Sequence, residues 1–284
     1  MIDVEKIIRS KTDKFVPQFL INRLKKIVHQ NEINEILAAN SDKFGVEFMA
    51  AVLETFKIKT ACHCHCGLDP QSFSNDFQAC NGTKRFIFAS NHPLGALEAM
   101  AIGKHLGEKF DGNINFVVNN LLTYLTPLES VFTSVNVGSG KQNRQNIEEV
   151  ENLFSSDKQI VMFPSGTVSR KKHGKIADPE WKKMFISKSR QFERDVVPIF
   201  CTGRNSNFFY NLSNFRNFFG IKFNIELLFL PDEMFKNRNS EINITVGKPI
   251  SYKTFTSKKS DLEWASEVQK TVYELGKKEL GIRI

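Results

Sequence analysis

"RFIFASNHPLGALEAM", residues 85–100, runs from a strand pattern directly into a helix pattern. Residues 85–89 form an apolar run of strand length, and residues 93–106 are helix-compatible and almost wholly apolar. Asn91 and His92 sit at the joint, and one carboxylate, Glu98, sits inside the helix pattern. A carboxylate among apolar neighbours is costly unless something pairs with it. His92 is the nearest candidate partner. The two residues meet only if the chain turns back at 93–95, which Pro-Leu-Gly permits.

Working outward, strand and helix patterns alternate from residue 85 onward. Strands are predicted at 85–90, 114–118, 131–136, 159–163, 195–201, 223–230 and 242–246. Asn146 with Glu149, and Ser260 with Glu263, read as capping boxes that open helices. Asp178 followed by Pro179 reads as a helix cap and a first-turn proline. Such alternation predicts an α/β domain with a largely parallel sheet flanked by helices. The expected division is an N-terminal helical segment over 1–58, an insertion loop over 59–84, and the α/β domain over 85–284. Within the first segment, Pro17 opens a basic amphipathic helix. Its Leu20, Leu24, Ile27 and Val28 share a face that suits docking on the main domain or lying on an anionic membrane.

Composition narrows the partners. The 284 residues carry a formal net charge of +8, which suits an anionic partner. No stretch reaches the uncharged length of a membrane span, and the N-terminus lacks a signal-peptide core. A cytoplasmic protein, peripheral on the inner face of the membrane, is therefore expected. No nucleic-acid-binding motif accompanies the charge. The five cysteines are an odd number, so a disulfide framework is not expected. "CHCHC" at 62–66 lacks the paired spacing of a zinc site and lies in a Gly-, Pro- and Ser-rich stretch. It reads as loop without metal.

Four pieces then fall in order: "NHPLGALE" at 91–98, "VFTSVNVGSGKQNR" at 131–144, "FPSGTVSR" at 163–170 and "VVPIF" at 196–200. Together they resemble the glycerolipid acyltransferase family, whose members acylate lysophosphatidic acid or glycerol-3-phosphate. More closely, they resemble a subgroup with Asn-His-Pro-Leu-Gly and a later acid. The family's acid is an Asp five residues after the His, whereas here position 97 is Leu and the acid is Glu98. Ser165 stands where the family has Glu, and Val168 where it usually has Arg.

The resemblance implies a 1-acylglycerol-3-phosphate O-acyltransferase-like enzyme of lipid biosynthesis. It would move a fatty acyl group from an acyl thioester, either acyl-CoA or an acyl carrier protein, to a lyso-lipid hydroxyl. The thioester is a co-substrate, and no further cofactor is expected. The residue types fit that chemistry. His92 suits a general base, and Glu98 would fix its tautomer and stabilise the imidazolium. For His92 alone, a helix-capping or core role is the competing reading. Asn91, Lys141, Arg144, Ser165, Gly166, Thr167 and Arg170 are candidates for substrate binding. Arg170 would grip the acceptor's anionic head group, or else simply begin the solvated run "RKKHGK". Two alternatives stay open. One is a lipid- or phosphate-binding protein of the same fold whose catalysis is impaired at Glu98 and Ser165. The other is an O-acyltransferase acting on an aminolipid.

Overall fold

The computed structural model describes residues 1–11, 15–64, 84–119, 125–135 and 144–281. Four helices come first: α1 (Val4–Lys11), α2 (Gln18–Ile27), α3 (Gln30–Ala39) and α4 (Gly45–Thr55). Strand β1 (Lys59–Cys64) follows, then β2 (Phe86–Ser90), α5 (Leu97–Lys109), β3 (Ile114–Asn119) and β4 (Phe132–Val135). Next come α6 (Arg144–Ser155), β5 (Gln159–Met162), the short hairpin β6 (Arg170–Lys172) and β7 (Lys175–Ala177), and α7 (Met184–Gln191). The chain ends with β8 (Asp195–Cys201), α8 (Asn207–Phe218), α9 (Leu230–Lys236), β9 (Glu241–Val246) and α10 (Asp261–Leu280).

Seven strands make the main sheet in the order β1-β9-β8-β2-β5-β3-β4. All neighbours are parallel except β8 and β9, so β1 and β9 run against the rest. Central strands of a parallel sheet are covered on both faces and read as unbroken apolar runs. β2 obeys this, with every residue buried. Phe86 and Phe88 point to a core shared with α4 and α5, and Ile87 and Ala89 to one shared with α6, α7 and α10. The result is three layers, with β2 central. Its carboxyl end opens beside that of β5, the crevice where α/β sheets place their functional loops.

The six other predicted strands fare unevenly. Those near 114, 131, 159, 195 and 242 form as expected, within a residue or two. The one at 223–230 does not: a 3-10 turn over Ile225–Phe229 leads into α9, which has a proline in its first turn. Periodicity cannot tell a short apolar run in a strand from one in a helix. The expected loop over 59–84 also needs correction at its start, because 59–64 pairs in parallel with β9 as an edge strand. Residues 65–83, including Cys66 and Cys80, lie outside the described residues. Cys64 is disulfide-bonded, contrary to expectation, while Cys62 and Cys201 are free thiols. Counting thiols cannot say which of them approach each other.

Helix caps divide likewise. Ser260 and Glu263 form the full capping box of α10. Asn146 falls inside α6 rather than ahead of it. Asp178 caps nothing, since α7 starts only at Met184. In the N-terminal helices, Ile21 is the fully buried contact of α2, whereas Leu20 and Phe19 face outward.

The closest helix contact sets the position of α5, and with it of Glu98. A Cβ at Gly103 would meet Met49 Sδ at 2.2 Å, and one at Gly107 would meet both Val46 methyls at 2.5 Å. Val46 is β-branched and has little freedom to move aside. An exposed helical Gly→Ala change gains about 1 kcal/mol. Gly107→Ala should instead lower stability by about 1–2 kcal/mol through overpacking. Adding Val46→Ala should recover part of that loss. Urea unfolding of the single and double variants checks this, and a stabilised Gly107→Ala protein would refute it.

Candidate active site

β2 delivers Asn91 and His92 to the carboxyl edge of the sheet, and the chain then turns sharply before α5. Gly95 makes the turn with φ +102°, a conformation open to glycine. Any Cβ there would press on Val168 at 3.0 Å and Leu230 at 3.1 Å. Glu98, in the first turn of α5, points back into the turn.

One carboxylate oxygen gathers three partners. Glu98 Oε1 is 2.8 Å from His92 Nδ1, and it accepts the Leu94 and Gly95 amides at 3.0 and 2.8 Å. Glu98 is 0% exposed, while the His92 side chain keeps 16% of its surface open. Burial pushes the Glu98 carboxyl up, but the His92 imidazole and the two amides outweigh it and hold it below the ordinary range. With Nδ1 on the carboxylate, the His92 proton belongs there. Nε2 is left as an acceptor without a hydrogen bond among the described residues. The acid's later position and longer side chain, compared with the family's Asp, therefore do not prevent the contact.

His92 is held on its other sides as well. Its ring stacks on Phe163, just past β5, at 4.2 Å and 20°. Its amide donates to both oxygens of Asp178, at 3.1 and 3.2 Å. Its carbonyl accepts the Ser169 amide at 2.7 Å and the Ser169 hydroxyl at 3.2 Å. Asp178 also accepts from Ser169 Oγ at 2.6 Å and Trp181 Nε1 at 3.0 Å. Burial pushes its carboxyl up, and those donors pull the other way. Sequence reading missed this role for Asp178, because Asp-Pro is also the signature of a helix start.

The other candidates separate. The Asn91 amide bridges to β8: Nδ2 donates to the Cys201 carbonyl at 2.9 Å and Oδ1 accepts the Cys201 amide at 2.7 Å. Both ends are thus used inside the fold. Ser165 Oγ donates to the Thr167 carbonyl at 2.7 Å, closing a tight turn whose Gly166 has φ +66°. Exposed Lys182 holds its Nζ 2.8 Å from where a Gly166 Cβ would sit, and sequence reading had not singled it out.

Arg170 needs the plainest correction. It is buried rather than solvated. Its Nη2 donates to Glu226 at 3.0 Å and Thr167 Oγ1 at 3.2 Å, and Nη1 to the Val168 carbonyl at 2.6 Å. Arg216 binds the second oxygen of the same buried Glu226 at 2.9 Å. The partner was hidden because Glu226 stood in a predicted strand. Arg144 is the first residue of α6, and Lys141 lies outside the described residues.

A family model described as acyltransferase matches residues 5–280. The chain belongs to this acyltransferase family. A lyso-glycine lipid O-acyltransferase of Bacteroides thetaiotaomicron is 44% identical over 278 residues, 97% of each chain. One of the same name from Phocaeicola vulgatus is 42% identical over 280 residues, 97% of this chain and 95% of that one. The crystal structure of PlsC, the 1-acyl-sn-glycerophosphate acyltransferase of Thermotoga maritima, aligns with 17% identity and a TM-score of 0.45. It covers 98% of this chain and 88% of its own. The protein is thus an acyltransferase, as the ordered motifs implied.

Two measurements test the site. Removing one member of a buried ion pair typically costs about 3–5 kcal/mol. Arg170→Met should lower stability by about that amount in urea unfolding. Unchanged stability with a raised acceptor KM would return Arg170 to substrate binding. Glu98, with its folded value depressed, contributes stability that is present above the ordinary 4.5 and is lost as pH falls through the folded value. The urea midpoints of wild type and Glu98→Gln should therefore converge as pH drops below 4.5. A gap that persists unchanged into acid would show that the contribution is not ionic.

Proposed function

We propose that the chain is a lyso-lipid O-acyltransferase, with a lyso-glycine lipid as acceptor and an acyl thioester as donor. One observation carries the catalytic reading: His92 Nδ1 lies 2.8 Å from a fully buried carboxylate while the His92 side chain stays partly exposed, which leaves Nε2 to act as a base. As the acceptor's hydroxyl oxygen attacks the thioester carbonyl, Nε2 takes the hydroxyl proton. Glu98 stabilises the imidazolium so formed and keeps the ring in one tautomer. When the tetrahedral intermediate collapses, the C–S bond breaks and the imidazolium returns its proton to the departing thiolate. The products are an ester and a free thiol. Amides of the turn over 163–167 and the Lys182 ammonium are candidates to steady the developing oxyanion or the acceptor's charge.

The names of the two relatives support a glycine-lipid acceptor over a glycerophosphate one. The compensated Glu98 supports an enzyme over a lipid-binding protein that has lost catalysis. The donor, CoA or acyl carrier protein, is proposed from the family chemistry alone. Among the described residues, no helix is long and apolar enough to cross a membrane. With net charge +8, we propose peripheral attachment to the anionic inner face, from the cytoplasm.

The purified chain should consume acyl-CoA or acyl carrier protein thioester with lyso-glycine lipid, and much more slowly with lysophosphatidic acid. Equal turnover of both acceptors would remove the head-group assignment. His92→Ala should lose about 10²–10⁴-fold in kcat, and Glu98→Gln somewhat less. A folded His92→Ala protein with near-normal turnover would overturn the mechanism. Flotation with anionic vesicles should weaken sharply at high salt, because screening shortens the reach of surface charge. Equal binding to neutral vesicles at any salt would contradict the electrostatic share of attachment.

A further inference from the structure

α8 is apolar on two opposite faces. Phe209, Tyr210 and Ser213 are fully buried, packed near Val168, Ile176, Leu227 and Leu230. On the other side, Phe208, Leu212, Phe215 and Phe219 follow one another at spacings of four, three and four, a single helical stripe. Phe208 and Phe215 are half exposed, and Phe218, beside the stripe, is 85% exposed. Phe219, at the end of the helix, is exposed as well, and the turn beyond adds exposed Ile221 and Phe223. Monomeric proteins rarely leave so many large apolar side chains together in water, and where they do the patch is usually a contact surface.

We propose that this aromatic stripe of α8 and its following turn is the surface that enters the lipid interface of an anionic bilayer. The proposal rests on peripheral attachment as read above, and it names the surface responsible. Charge complementarity favours a bilayer. From Gly203 to Asn224 the chain carries Arg204, Arg216 and Lys222 and no acidic residue at all. Arg216 is spent on Glu226, which leaves Arg204 and Lys222 exposed at the two ends of the patch, where lipid head groups would lie. Phenylalanine beside exposed cations is the make-up of a helix lying in an interface.

Continuity with the site favours it too. Immediately before α8, Asn205 donates to the Pro93 carbonyl at 3.3 Å, one residue from His92. Gly203 lies so close to Leu94 that a Cβ would meet it at 2.8 Å. The Arg170 guanidinium lies 5.5 Å from the Phe209 ring on the buried face. The stripe is therefore rigidly tied to the catalytic turn. A lipid entering beside α8 would reach His92 without leaving its bilayer for water.

The full chain tests this by sedimentation with vesicles of phosphatidylcholine and phosphatidylglycerol. Wild type is compared with Phe215→Asp/Phe218→Asp, Lys222→Glu and, as a control on another exposed aromatic, Phe19→Asp in α2. The double variant should keep its urea midpoint and lose about tenfold or more in vesicle affinity, with Lys222→Glu weakened less. Its activity should fall on vesicle-embedded acceptor and stay unchanged on a short-chain acceptor dissolved as monomers. Wild-type affinity in the double variant, or a loss confined to Phe19→Asp, would overturn the assignment to α8 while leaving peripheral attachment intact. No vesicle binding by wild type would overturn both. A dimer of wild type in solution, dissolved by the double substitution with vesicle binding unchanged, would show that a second copy covers the stripe instead.

Discussion

Everything at the carboxyl edge of the sheet depends on satisfying one buried negative charge. Glu98 is fully buried, and its Oε1 draws an imidazole and two backbone amides to itself. Those three contacts dictate the path of residues 92–98. The turn must bring the Leu94 and Gly95 amides inward, glycine must occupy the left-handed position, and His92 must point at the start of α5. The second oxygen, Oε2, is buried without a hydrogen bond among the described residues. The carboxylate's stability is therefore concentrated on a single oxygen, and the imidazole is its one partner that can carry a full positive charge. The charge that shapes the turn is the same one that, in the proposed mechanism, prepares His92 as the base.

A second buried carboxylate ties this turn to the rest of the molecule. Asp178 receives the His92 amide, the Ser169 hydroxyl and the Trp181 indole, while its own amide donates to the Tyr273 hydroxyl at 2.6 Å. One residue, through its side chain and its amide, thus joins the end of β2, the loop after β5, the approach to α7 and the C-terminal helix α10. The Arg170–Glu226–Arg216 cluster does comparable work on the far side of the same loop, locking it against the segment that leads into α9.

Much of this was legible in the residues themselves. The central strands are apolar runs because both faces of a parallel sheet are covered, and 86–90 and 195–201 could be marked from that alone. His92 and Glu98 stood out because a polar pair in an apolar setting has few inexpensive explanations. What stayed hidden depends on partners far along the chain. Asn91 looked available for substrate, but its amide closes on Cys201, 110 residues away. Arg170 looked like the head of a solvated run, but its carboxylate lies 56 residues on, inside a segment whose apolar run fitted strand and helix equally well. Asp178 could not be told from a helix cap, since local sequence carries no trace of the backbone amide it was to receive. The motifs gave the family before any of these contacts could be drawn, because order and spacing survive where individual partners do not.

The stacking of His92 on Phe163 has a consequence for side reactions. A base strong enough to deprotonate a lipid hydroxyl would also activate water, and an activated water beside a thioester gives a free fatty acid. The phenyl ring covers one face of the imidazole at 4.2 Å. An apolar wall beside the imidazole disfavours a small hydrogen-bonding molecule, which loses solvation there, relative to an oxygen carried on a hydrocarbon chain. Such a wall discriminates between two nucleophiles of similar intrinsic reactivity by what is attached to them. With His92 as the base, protection against hydrolysis would rest in part on this one aromatic side chain just past the end of β5.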